Sequence, residues 1–78
     1  MDKSRLRWQC RRGMKELDHL LVGYLDNFFD DADDDEKEAF QSLLELPDPE
    51  VIAYLLGKEE PTEDMAGVVG RIRSAPPG

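Results

Sequence analysis

From Met14 onward the apolar positions fall at Met14, Leu17, Leu21, Tyr24 and Phe28, with Leu20 and Leu25 alongside. Spacings of three and four put them on one stripe of a helix of about four turns. Upstream, Arg5 to Arg12 reads as a short basic helix whose less polar positions are Leu6, Trp8 and Cys10. Gly13 behind it suits a left-handed C-cap. The run Asp30-Asp31-Ala32-Asp33-Asp34-Asp35 breaks the pattern. A third helix is predicted from about Asp33, with Glu36 three residues on in a capping-box relation and Ala39, Phe40, Leu43 and Leu44 on one face. Pro47-Asp48-Pro49 ends it and starts the next, with Asp48 as N-cap and Pro49 at the first helical position. That fourth helix turns Val51, Ile52, Leu55 and Leu56 inward and stops at Gly57. Thr62 caps a last helix with Met65, Val68, Val69 and Ile72 inward, in which Gly67 and Gly70 cost roughly 1 kcal/mol each relative to Ala. No strand alternation, hairpin signal or internal repeat interrupts the series. The pattern predicts an all-α fold, a compact bundle of five short helices in one domain over residues 1–73, followed by a disordered tail at 74–78.

Composition narrows the function. A chain of 78 residues buries only about 60–65% of its unfolded surface, too little to enclose a deep private pocket. Charged residues make up 36%, but the 40% that are hydrophobic cluster periodically, which argues for a folded core over disorder. One cysteine excludes an intramolecular disulfide, and with a single histidine it cannot build a structural zinc site. A free Cys10 thiol fits a reducing compartment. No apolar run approaches the roughly 18–20 residues that span a bilayer. The basic N-terminus lacks the apolar stretch of a secretory signal. These features predict a soluble, intracellular, acidic mini-domain.

Charge is strongly segregated. Residues 1–15 carry a net +5, residues 16–64 a net −15, and residues 65–78 a net +2, giving −8 in all. The balance argues against a general binder of nucleic acid or anionic membrane. The acids at 30–36 are the obvious metal candidate. A calcium loop counted from Asp31, however, puts Glu36 where glycine belongs and Ser42 where glutamate belongs, so a solvated loop is preferred. His19 beside Asp18 could orient a general base, but no motif supplies a nucleophile. Cys10 lies among arginines that could lower its pKa, and nothing else marks it as reactive. No phosphate loop or dinucleotide fingerprint is present.

The basic N-terminal segment is the better lead. Trp8 among Arg5, Arg7, Arg11 and Arg12 could stack on a base while the arginines grip phosphates. The preferred reading packs Trp8 on the bundle and pairs the arginines with the acidic body, because so small a domain needs its largest side chain inside. In Arg11-Arg12-Gly13-Met14-Lys15-Glu16-Leu17-Asp18, polar groups crowd the turn between two helices. Gly13 permits close backbone approach, and Glu16 sits where the helix dipole favours an anion. On physical grounds alone, Arg12 and Glu16 read as capping and a surface ion pair, with a binding patch as the alternative.

Arg12-Gly13-Met14-Lys15-Glu16 resembles the RGxxE motif of the SdhE family, small assembly factors of succinate dehydrogenase. Trp8-Gln9-Cys10-Arg11, Leu17-Asp18, Asp34-Asp35-Glu36-Lys37, Phe40, Leu43-Leu44-Glu45 and Asp48-Pro49 before Tyr54-Leu55 are similar to the same family, so the likeness spans about residues 5–73. Tyr54 departs from it, standing where the family pattern has tryptophan. The resemblance implies a five-helix bundle that binds the flavoprotein subunit of succinate dehydrogenase, and the related fumarate reductase flavoprotein. It implies a maturation chaperone, not an enzyme, promoting covalent attachment of FAD to a histidine of that subunit without stably binding FAD or a metal itself. It further implies that Arg12, Gly13 and Glu16, flanked by Arg11 and Asp18, form the partner-binding face. A monomer in a bacterial cytoplasm is the expected setting, because no transit peptide precedes the domain.

Three rivals stand beside this reading. An antitoxin-like acidic protein would neutralise a partner through the −15 segment. A nucleic-acid adaptor would bind through residues 5–15 with steep salt dependence. A stand-alone flavin carrier would need a phosphate-binding element that the chain lacks.

Overall fold

The computed structural model describes residues 3–75 and contains five α-helices: α1 Lys3–Cys10, α2 Lys15–Asn27, α3 Asp34–Leu44, α4 Asp48–Leu55 and α5 Glu63–Ser74. A short 3₁₀ turn, Phe29–Asp31, links α2 to α3, and no strand occurs among the described residues. The all-α bundle of five short helices is the architecture that the hydrophobic periodicity predicts.

The longest apolar stripe forms the spine. Leu17, Leu21, Tyr24 and Leu25 of α2 are buried, while Met14, Leu20 and Phe28 pack at the edge of the core. Phe29 turns inward instead of Phe28, because the tighter 3₁₀ turn rotates the chain after α2. Its ring joins Tyr24 and Phe40, with centroids 4.6 Å apart for Tyr24–Phe40 and 5.6 Å for Phe29–Phe40. Helix α5 lies across α2 and α3 and buries Val68, Val69 and Ile72.

Asp33 caps α3 by accepting the Glu36 N–H at 2.8 Å. The carboxylate of Glu36 does not complete a reciprocal box. It accepts the Tyr24 hydroxyl at 2.6 Å and the Arg71 guanidinium at 3.1 Å, tying α2, α3 and α5 together over the aromatic cluster. Helix α4 begins at Asp48 with Pro47 as N-cap, one residue earlier than the sequence suggests, and Gly57 closes it at φ +76°. Leu56, expected inside, is 49% exposed because the helix has ended and the chain turns away at that point. At the C-terminus, α5 continues through Ser74 and Ala75 is buried, so the ordered chain reaches beyond residue 73. The remainder of the expected tail, residues 76–78, lies outside the described residues.

Helix α1 departs most from expectation. It ends at Cys10, two residues early, because the Arg12 N–H that would continue the ladder donates to Asp18 Oδ1 at 2.8 Å. Leu6 and Cys10 are its buried positions. Trp8 lies about 200° around the axis from Leu6, on the far side, and is 77% exposed. The expectation that Trp8 packs into the bundle is therefore corrected, and the period of Leu6 and Cys10 was the signal that could have placed it outside. Ion pairs Lys3–Asp30 at 2.8 Å and Arg7–Asp26 hold α1 against the acidic body. Hydrogen bonding from Arg7 keeps the Asp26 carboxyl below the ordinary carboxylate range.

Candidate partner-binding site

Residues 11–18 form the corner between α1 and α2. Gly13 adopts φ +81°, a left-handed conformation that favours glycine, and a Cβ built on it would meet nothing within 4 Å. The glycine is favoured by backbone conformation and not by crowding, and the space outside it is open. It does not cap α1 directly, since two residues intervene.

Arg12 is fixed from the other side of the molecule. Its side chain is only 11% exposed. Nη1 donates to the Leu46 carbonyl at 3.2 Å and to Asp48 Oδ1 at 2.6 Å, and Nη2 donates to the Leu44 carbonyl. The carbonyls at the C-terminal end of a helix lack intrahelical partners and carry partial negative charge, so a guanidinium there is doubly favourable. One side chain thus joins the end of α3, the α3–α4 linker and the start of α4 to the corner. The Arg12 Nε is buried without a hydrogen-bond partner. The expected Arg12–Glu16 ion pair does not form, because Asp48 and the two carbonyls occupy the guanidinium fork.

Asp18 is likewise committed, in the first turn of α2, where it accepts the Arg12 backbone N–H. Glu16, also in that first turn, is exposed and has no ion-pair partner among the described residues. It edges a shallow apolar hollow lined by His19, Leu20 and Leu56. On the other side of His19, Arg11 and Lys15 line an open groove with Arg7, Asp18 and Asp26. The five sequence-predicted residues accordingly divide. Arg12 and Asp18 hold the corner, whereas Arg11, Gly13 and Glu16 face outward from it. Leu56 is an addition that sequence reasoning missed, because its apolar character pointed it inward.

The remaining chemical candidates occupy other settings. Cys10 is fully buried, and desolvation pushes its thiol up to about 12, outweighing the opposing pull of Arg12 and Arg7. The arginines therefore do not activate it. In the acidic loop, Asp30 pairs with Lys3 and Asp33 caps α3.

The fold and the corner define a class of small all-α proteins with a charged, open turn between the first two helices. Within that class the chain belongs to the family described as the flavinator of succinate dehydrogenase, whose model matches residues 4–76. It is similar to the FAD assembly factor SdhE of Legionella pneumophila (strain Paris), 44% identical over 73 residues that cover 94% of this chain and 92% of that one. The factor of the same name from Shewanella oneidensis is 43% identical over 94% of this chain and 90% of its own. The Yersinia pestis factor of that name is 40% identical over 80% of this chain and 70% of its own.

Proposed function

We propose that this protein is an FAD assembly factor that binds the flavoprotein subunit of succinate dehydrogenase and promotes its covalent flavinylation. The observation that carries this reading is the family match over residues 4–76, with Arg12, Gly13 and Glu16 of the motif assembled at one open corner. In this reading Gly13 and Glu16, with Arg11 beside them, meet the client near its flavin site. Arg12 and Asp18 keep that surface in shape. FAD remains the client's cargo and is not held stably by this chain. The fumarate reductase flavoprotein is a second client, and the factor acts as a monomer in a bacterial cytoplasm.

The action is positional. A rigid corner entering the client holds it so that its histidine and the flavin 8-methyl carbon lie in reacting geometry, and ordering of this kind lowers a barrier by reducing the entropy still to be lost. Proton transfer by Glu16 is the alternative. Positioning is favoured because no neighbouring group hydrogen-bonds and orients the Glu16 carboxylate among the described residues.

Covalent flavin fluorescence of the client on a denaturing gel tests the function. Cells lacking their own factor receive this protein, its Glu16→Ala or Gly13→Arg variant, or nothing. Restoration by the wild type alone is expected, and equal fluorescence in every lane would overturn the reading for that client. Glu16→Gln separates the two mechanisms, since full flavinylation with glutamine excludes proton transfer.

A further inference from the structure

The chain has one tryptophan, and its structure leaves that side chain in water at the outer face of α1. An indole offers more apolar area to bury than almost any other side chain, and tryptophan is enriched at protein interfaces. Its surroundings are selective. Of the basic side chains in residues 3–15, Lys3, Arg7 and Arg12 are paired with Asp30, Asp26 and Asp48. Arg5, Arg11 and Lys15 have no ion pair among the described residues. Arg5 stands three residues before Trp8 on α1, about 60° from it around the axis, and Arg11 three residues after it, just past the end of the helix. The Arg11 N–H donates to the Trp8 carbonyl at 3.1 Å, carrying the backbone turn one residue past the helix, and the Arg11 side chain lines the open groove with Arg7 and Lys15. The paired cations thus hold α1 and the corner to the body. Arg5 and Arg11, exposed and without an ion pair among the described residues, are spaced three residues to either side of the exposed Trp8.

We propose that Arg5, Trp8 and Arg11 form a docking surface for an acidic segment of the flavoprotein client. Trp8 is the apolar anchor, and the two guanidinium groups fork carboxylates on either side of it. The proposal rests on the assembly-factor reading and extends its contact from the motif corner along α1, since Arg11 directly precedes Arg12. Tryptophan and arginine are the residue types that most often dominate the energy of a protein interface. Arginine also matches carboxylate geometry with two parallel hydrogen bonds. Charge complementarity selects a discrete acidic protein segment over nucleic acid. A duplex carries a charge every ~1.7 Å and would run past two arginines onto a body of net −15.

The test uses the full chain and the purified, flavin-free flavoprotein subunit of succinate dehydrogenase. Trp8→Ala, Trp8→Phe and the double variant Arg5→Glu/Arg11→Glu are compared with wild type after melting curves confirm that each is folded. Trp8→Ala is expected to weaken binding tenfold or more, with Trp8→Phe recovering part of the loss. The charge-reversed double variant is expected to weaken binding and to flatten its salt dependence. Because the protein has one tryptophan, 5-fluorotryptophan labelling gives a single ¹⁹F resonance, which should shift when the client is added. Wild-type binding with Trp8→Ala within twofold of it and an unmoved resonance would overturn the docking face while leaving the proposed function standing. Binding of a mixed-sequence DNA oligonucleotide that Trp8→Ala abolishes, and that does not compete with the client, would overturn it in favour of nucleic acid. A wild-type protein that fails to bind the client overturns the proposed function and this surface together.

Discussion

Two adjacent residues of the corner do opposite kinds of work, and substitutions should separate them. Gly13 is constrained by its backbone and not by its neighbours. Asparagine tolerates the left-handed region, so Gly13→Asn should melt close to wild type. A β-branched residue does not, and Gly13→Val should lose about 1–2 kcal/mol in urea unfolding. A folded Gly13→Asn protein that no longer supports flavinylation would then report a lost approach to the client and not a lost fold. Arg12 is the reverse case. Removing it strands the carbonyls of Leu44 and Leu46 and the carboxylate of Asp48. Arg12→Ala should cost about 1.5–3 kcal/mol, the range of hydrogen bonds to a charged group, with Asp48 contributing less because it is half exposed. Arg12→Lys should recover only part of this in the same denaturation series, since an ammonium lacks the planar fork.

The elements have their own consequences. Helix α1 is short and is held mainly by Leu6, Cys10 and its ion pairs, so the state of Cys10 reports whether it is seated. Burial raises the thiol from 9.0 to about 12, favouring the protonated form in the folded protein. This contribution to stability is complete below the unfolded value and is lost as pH rises between 9.0 and about 12. A thiol reagent at pH 8 should therefore leave the native protein unlabelled and modify it fully in denaturant. Helix α5 has slack to remove. Gly67 and Gly70 are exposed, and a Cβ on either would meet nothing within 4 Å. Each Gly→Ala change should add about 0.5–1 kcal/mol, read as a rise in melting temperature, by restricting the unfolded chain. These helices were readable from their apolar spacing, whereas of the expected side-chain caps only that of Asp33 on α3 forms, Thr62 standing at the start of α5 without a side-chain bond. The end of α1 was not, because a side chain six positions downstream takes the N–H that propensity assigns to the ladder. The inward turn of Phe29 was hidden for a similar reason, since a change from α to 3₁₀ winding leaves no mark on the apolar pattern.

For the whole molecule, segregation of charge proved more informative than its total. The basic end divides into cations that fasten α1 to the acidic body and cations that remain on the surface, a division that net charge cannot express. The corner motif could be located in the sequence, because its five letters are contiguous. The roles within it could not, because the partners of Arg12 come from residues 44–48, outside any local window. Trp8 shows the complementary failure. A rule about composition, that the largest side chain belongs in a small core, placed it inside, whereas the four-residue period of the buried Leu6 and Cys10 puts it outside. The clamp formed by Arg12 also has a hereditary consequence. Asp48, 36 positions away along the chain, helps set the shape of the corner without belonging to its signature. Among descendants of this sequence the two positions should drift as a linked pair. A substitution at Asp48 that is harmless in one lineage should be deleterious in another, according to what stands at position 12.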